Sequence, residues 1–449
     1  MEFVGIAFNV VATLTWVLGS WPGMLTGDSI ASLFQIIKGP YYDWHPIAYT
    51  LFIQLFTFNG QFIWLVSIVQ SLLFGISVYF FTRSCFVDIS RSKAIWITGI
   101  LQATPFVGGL AVTMWKDIPY TSFLLLGLGM LIRAKEPARL TYFVAGIFLI
   151  LSSICRHEAP YVLFLLVVSY ILVKIKNINT VNLKLILTVF IAGLISLLMS
   201  SFLVDVTKAI PGPAFTKTLA LQRDLAALAH ETPKSVPKDT FKELRAISSD
   251  WGWERSTDCW TPIDYINPTH FNYEKANNFS EHAITSWLEV ATSKSLPDLL
   301  LWHRCFVKPF IPFPIQPTPD PVVISWLTPG VSSNSLGIIS NPKLGPLQSL
   351  MESYISFWMS ISKYASWPGF HFTFFVFLCV YSKKKNCITR QTATLLLSFV
   401  IARQVLLLLL TPSYDARYAM QTTLLSVMFL IFTLSNLLKL PIASLQKKR

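Results

Sequence analysis

Residues 185–203 read LILTVFIAGLISLLMSSFL, nineteen positions without a charge. A stretch of that length satisfies its own backbone as a helix and crosses the ~30 Å hydrocarbon core of a bilayer. Nine further apolar runs follow the same pattern, near 4–20, 61–82, 94–112, 119–133, 140–155, 160–174, 366–382, 391–411 and 418–438. The fold class this dictates is an all-α polytopic membrane protein of about ten transmembrane helices. Composition agrees: 13% of the 449 residues are charged, about half the share in soluble domains. The first run lacks a basic leader and a small-residue cleavage site, so a retained helix is expected rather than a signal peptide.

The net charge of +13 invites a nucleic-acid reading, but the positions of the cations argue against it. Alternate connections carry Arg83, Arg91, Lys93, Arg133, Lys135, Arg139, Lys174, Lys176, Lys184, Lys383, Lys384, Lys385, Arg390, Lys439, Lys447, Lys448 and Arg449. The short loops on the other side hold Lys38, Lys116, Arg156 and Arg417. Such asymmetry orients a membrane protein with its basic loops in the cytoplasm, so both termini are expected there. The expected location is the plasma (inner) membrane of a bacterium.

Residues 205–365 contain no continuous span and are close to charge balance. They are expected to form a mainly helical extracytoplasmic domain between an N-terminal transmembrane module, 1–204, and a C-terminal one, 366–449. Cys259 and Cys305 lie within it, on the side where oxidising conditions allow a disulfide; spacing leaves their pairing open.

Outside that domain few acids remain, and five fall in the outer loops: GDSI (Asp28), KGPYYDWHP (Asp43), WKDIP (Asp117), CRHEAP (Glu158) and YDARY (Asp415). Charges at membrane depth are costly and mark substrate or ion pathways. Each cluster also has a purely structural reading. Asp28 is a favoured N-cap for the amphipathic stretch 29–37. Asp117 and Glu158 each stand two residues before a proline, where a helix begins and its dipole favours an acid. His45, before Pro46, is a residue of restricted backbone suited to capping. Five mixed-sign clusters on one face point instead to one polar site, and a carboxylate held ionised at a helix N-terminus suits proton abstraction. Trp21, Tyr41, Tyr42, Trp44, Trp115 and Tyr418 fit stacking on sugar rings, and equally fit the aromatic belts of membrane interfaces.

The order of these parts resembles the C-type (GT-C) glycosyltransferases, whose relatives include protein O-mannosyltransferases and the lipid A aminoarabinose transferase. Asp28 in WPGMLTGDS matches the acid of the family's first outer loop. DWHPIAYTLFIQLF (43–56) is similar to its Pro–Pro–x–Tyr stretch, which implies an interfacial helix. MWKDIPYT (114–121), CRHEAP (155–160) and DARYAMQ (415–421) resemble later outer loops, and LALQRDLAALAHE and SWLEVATSKSLPDLLLWHRC look like segments of a bacterial branch.

The resemblance implies transfer of a sugar from a polyprenyl-phosphate donor to a glycan, lipid or protein acceptor outside the cytoplasm, with inversion. It makes Asp28 the catalytic base and puts Asp117 near the donor phosphate. Lys116, Arg156 and Arg417 are the cations for that phosphate, and Asp43, His45, His157, Glu158 and Tyr418 the residues for sugar or acceptor. Metal-using members carry Asp–Glu or Asp-x-Asp where this chain has Asp28–Ser29, and no zinc-site spacing occurs. No cofactor is therefore expected, and a divalent metal is not favoured. Arg403, inside the ninth run, is left between a lipid-phosphate role and pairing within the bundle.

Three alternatives stay open, one of them an inactive relative that only binds a glycolipid. A membrane glycan polymerase or ligase would use residues of the large loop, here His270, His303 and Arg304. A glycolipid transporter or flippase would show internal repeats and charges at mid-membrane; the sequence has no such repeat, and its charges gather at one face.

Overall fold

In the structure, a computed structural model, the described residues are 2–134, 139–175, 181–248, 270–294, 329–361, 368–410 and 419–437. Over these, nine of the ten apolar runs fall on a single helix each, and the run 94–112 is divided. The N-terminal part comprises α1 (Glu2–Gly19), α2 (Gly27–Lys38), α3 (Ile47–Thr57), α4 (Ile63–Cys85) and α5 (Arg91–Ala103). After a π-type turn at Pro105–Gly109 come α6 (Leu110–Val112), α7 (Asp117–Arg133), α8 (Arg139–Ser153), α9 (Ala159–Lys174) and α10 (Leu183–Thr207). Four helices lie beyond the seventh run: α11 (Phe215–Glu231), α12 (Lys238–Ile247), α13 (Tyr273–Ser280) and α14 (Ala283–Thr292). The chain ends with α15 (Gly345–Ile361), α16 (Pro368–Lys384), α17 (Arg390–Leu410) and α18 (Met420–Leu437). Among the described residues five helices are long and apolar enough to cross a membrane, or six if the bent pair at 91–112 counts as one span; α8 and α9 are shorter apolar helices.

Burial separates helices that sequence alone makes look alike. On α10 the residues Leu185, Val189, Ala192, Gly193 and Ser196 are buried, one stripe at helical spacing. The rest of its surface is exposed leucine, isoleucine and phenylalanine, as a lipid-facing helix requires. Gly193 lies in the stripe because a Cβ there would come within 2.8 Å of the Phe164 ring on α9. By contrast, 72% of the spanning window of α17 is buried, against 28% for α10, so α17 is a central helix. The core joins Phe74 and Phe81 of α4, Leu124 and Leu128 of α7, Leu149 of α8, Leu166 of α9, Phe399 of α17 and Phe429 of α18.

The run 94–112, expected as one continuous span, is broken: its two halves meet at 77°. Pro105 supplies no N–H to the helix and crowds the preceding turn. The Gln102 carbonyl accepts a 2.9 Å bond from the Trp16 indole on α1, and the Leu101 carbonyl accepts from the Thr104 hydroxyl at 2.8 Å. The break turns α6 back under the first outer loop. There Met24 donates its N–H to the Val112 carbonyl (3.3 Å) and Met114 donates to the Met24 carbonyl (3.1 Å).

Other short bridges fix the remaining outer loops. Asp43 donates its N–H to the Ile210 carbonyl and Ile210 to that of Tyr41, both at 2.9 Å. Leu25 donates to the Gly330 carbonyl at 3.0 Å. α11–α14 form a second, smaller core around Phe215, Leu225, Phe271 and Phe279. Trp44 meets Phe215 edge-on at 6.0 Å, which sets this helical cluster directly over the 39–46 loop. α15 packs instead on α1, with the Tyr354 ring 6.0 Å from that of Trp16 and its hydroxyl donating to the Ala103 carbonyl at the end of α5. At the far end of the bundle, Lys93 bonds Asn436 and the Val87 N–H reaches the Cys387 carbonyl. Among the described residues, Lys93 and the Cys387 turn therefore lie at the end of the bundle opposite Asp28, Asp43, Asp117 and Glu158.

Candidate active site

The first acid stands on the first turn of α2. Thr26 occupies the N-cap position; its N–H donates to the Ser29 hydroxyl (3.1 Å), and Ser29 donates to the Met114 carbonyl (2.8 Å). The capping role expected of Asp28 therefore falls to Thr26 and Ser29, and Asp28 lies within the helix. The Trp115 indole donates to the Thr26 hydroxyl at 2.7 Å, tying the first outer loop to the second. With the loops joined this way, Asp28, His45, Tyr49, Met114, Trp115, Lys116 and Asp117 line one narrow cleft.

Two polar systems meet at this cleft. The first is open: the Asp28 side chain is 42% exposed, with Oδ1 3.6 Å from Nε2 of the buried His45. On the other edge of the ring, Nδ1 lies 2.9 Å from the Lys116 ammonium. His45 does not cap α3, whose N-cap position is Pro46; its ring lies between a carboxylate and a cation.

The second system is closed. Asp117, the first residue of α7, pairs with the Arg156 guanidinium, and Arg156 also pairs with Glu158 at the N-terminus of α9. Arg403 of α17 approaches Glu158 at 3.7 Å. Both guanidinium groups stand near the Tyr120 ring, their carbons 5.6 and 5.9 Å from its centroid. Arg156, Arg403 and Asp117 are buried, and among the described residues Asp117 and Glu158 face these two arginines, the pairing that buried charge requires. Burial alone would raise the Glu158 carboxyl, but Arg156 and Arg403 outweigh it and hold it down at about 2.

Beside these systems, His157 faces Asp43 at 3.8 Å. Burial pushes the Asp43 carboxyl up, against the pull of His157, the Ile47 N–H, Lys217 and Lys116. Burial pushes His157 down, against the pull of Asp43, and Lys116 and His45 push it the same way. The Asp43 carbonyl lies so near Gly212 that a Cβ there would approach it to 2.6 Å. This pair therefore sits where the bundle meets the α11–α14 cluster.

Eight of the ten site residues expected from sequence thus gather at one end of the bundle: Asp28, Asp43, His45, Lys116, Asp117, Arg156, His157 and Glu158. Arg417 and Tyr418 lie outside the described residues, as do His303, Arg304, Cys259 and Cys305. Arg403 joins the group; its signal in the sequence is an arginine within an otherwise uncharged run. Tyr49 and Tyr120 carry no signal that separates them from other aromatic residues at helix ends. Among the described residues no three His, Cys, Asp or Glu side chains converge in a way that could hold a metal ion.

Chemically, the arrangement offers a carboxylate and an ammonium lining a common cleft, beside paired acids and arginines. A family model described as dolichyl-phosphate-mannose-protein mannosyltransferase matches residues 38–202. That stretch includes seven of the eight gathered residues and begins ten positions after Asp28. No curated protein and no solved structure matches the chain. This match over 165 of the 449 residues, together with the apolar helices of the bundle, supports a polytopic membrane glycosyltransferase of the GT-C type.

Proposed function

We propose that the chain transfers a sugar from a polyprenyl-phosphate carrier to an extracytoplasmic glycan, lipid or protein acceptor, with inversion and with Asp28 as the base. The carrier class follows the matched family, whose description names mannose on dolichyl phosphate. What supports the reading is that Asp28, Lys116 and Asp117 share one cleft, an exposed carboxylate opposite an ammonium. The basic loops at the far end of the bundle support a plasma-membrane enzyme with its site outside and both termini in the cytoplasm.

In this reaction the acceptor hydroxyl attacks the anomeric carbon from the side opposite the phosphate. The new C–O bond forms as the bond to the phosphate oxygen breaks, and the electron pair leaves with polyprenyl phosphate. The hydroxyl proton passes to Asp28. A phosphate leaving group needs its charge stabilised more than it needs a proton. Lys116 is on the cleft wall for that purpose, and Arg417 with Tyr418 are assigned to the same donor. Asp117, paired with Arg156, holds the guanidinium beneath the phosphate rather than taking a proton. Asp43, His157 and Glu158 border the space for sugar and acceptor.

The test uses membranes containing the protein and a panel of radiolabelled undecaprenyl- and dolichyl-phosphate hexoses. Release of polyprenyl phosphate with label moving to an acceptor is the expected result, and Asp28→Asn lowers it by roughly 100-fold or more. Transfer at the wild-type rate by that variant removes Asp28 as base. Label carried across the membrane without release of polyprenyl phosphate would establish a transporter instead.

A further inference from the structure

We propose that His45 is a positioning residue for the Asp28 carboxylate, kept in a single tautomer by the Lys116 ammonium. The inference rests on the reading of Asp28 as base. An ammonium has three donors and no acceptor. With Lys116 Nζ at 2.9 Å from His45 Nδ1, Nδ1 must present its lone pair, and the ring proton then resides on Nε2. Nε2 is the atom that faces Asp28 Oδ1, at 3.6 Å. Catalytic hydrogen bonds are commonly long before substrate closes the site.

The surroundings hold the ring in place. His45 is buried, and the next residue, Pro46, opens α3, whose Tyr49 lines the same cleft one turn on. Lys116 immediately precedes Asp117, which Arg156 anchors. Among the described residues, charged and titratable groups near this ring come from four elements. Asp28 comes from α2 and Tyr49 from α3, Lys116 and Asp117 from the turn into α7, and His157 from the turn into α9.

Two consequences separate this arrangement from a histidine base. A proton taken by Asp28 cannot pass to a nitrogen that already carries one, so it leaves through the exposed side of the carboxylate. A second proton on the ring would place an N–H against the ammonium, so Lys116 disfavours the imidazolium. His45 therefore orients the base and favours its charged form, without itself exchanging a proton in the cycle. In a serine-type triad the order is reversed: the histidine is the base and the carboxylate orients it.

The first measurement needs no turnover. Solid-state NMR of full-length protein labelled with nitrogen-15 histidine in lipid bilayers, with His45→Gln to assign the signal, is expected to show a neutral ring protonated at Nε2. In Lys116→Met that single-tautomer signal is lost. A ring protonated at Nδ1, or a signal indifferent to Lys116→Met, overturns the proposal.

The second measurement is the pH profile of transfer with the donor panel. His45→Phe is expected to lower turnover about 10- to 100-fold with little change in donor KM. It should also move the acid limb upward by about one pH unit, because the charged form of Asp28 loses its partner. His45→Gln, whose amide N–H can face Asp28, recovers most of both. A folded His45→Phe with an unmoved acid limb overturns the positioning role, and if that variant fails to fold, an unmoved limb in Lys116→Met does the same. Retained transfer in Asp28→Asn is a separate result, which sinks the base assignment whatever tautomer the ring holds.

Discussion

The side chains divide by what each can do with a proton. Asp28 is exposed and faces a ring nitrogen, so it is open to an acceptor hydroxyl. Asp117 and Glu158 are committed to Arg156 and Arg403, and their carboxylates serve the arrangement of those cations. Removing one partner of a buried pair leaves the other uncompensated, which costs about 3–5 kcal/mol. Arg156→Met is therefore expected to lower the thermal midpoint of the purified protein markedly, and an unchanged midpoint would show the pair to be dispensable. Glu158 adds a pH dependence of determinate sign. Its carboxyl lies at about 2 in the folded protein, below its ordinary value, so its contribution is present above the ordinary carboxylate range. That contribution is lost as pH falls through the range toward 2. Thermal unfolding followed down from neutral pH should lose stability across that window, and Glu158→Gln should flatten the loss. The acids themselves are legible in the sequence as mixed-sign outer loops. Their division into one more exposed carboxylate and two paired with arginine is not, because the Arg156 that pairs with Asp117 is 39 positions away and Arg403, the second arginine near Glu158, is more than two hundred positions away on α17.

Among the elements, the broken helix does most to position the site. The segment TPFVGG carries its own signals, a proline and two glycines, yet hydropathy averaged over the run hides them. Gly108 packs against the Gln102 carbonyl and the Trp16 indole so closely that any Cβ would overlap both. Gly108→Val should therefore force the halves apart, with an overpacking cost of about 1–3 kcal/mol. Because α6 carries Thr113 and Met114 into the bridges with Met24, transfer should fall along with stability. A variant with a normal thermal midpoint and normal transfer would show that the bend does not set the loop. The short helix α3 is different: its apolar stretch is too short to span, and the structure has it as a separate helix ending at Thr57.

At the scale of the whole molecule, the bundle is polarised. Outer-loop acids, the cleft and the α11–α14 cluster share one end; Lys93, Asn436 and the Cys387 turn share the other. Single cysteines introduced in a background with the natural ones removed should report this in intact cells. A thiol reagent that cannot cross membranes is expected to label Lys38→Cys and not Lys385→Cys; the reverse pattern would turn the protein over and place the cleft inside. The apolar helices were readable from the chain alone, since hydropathy over about twenty residues is a local, additive quantity; the bias of lysine and arginine gives the expected orientation that the labelling tests. The meeting of Asp28, His45 and Lys116, and the neutralisation of Asp117 and Glu158 by Arg156 and Arg403, were decided only by tertiary packing. Those contacts join loops and helices far apart in sequence, and a buried charge is stable only where the fold delivers its counter-charge.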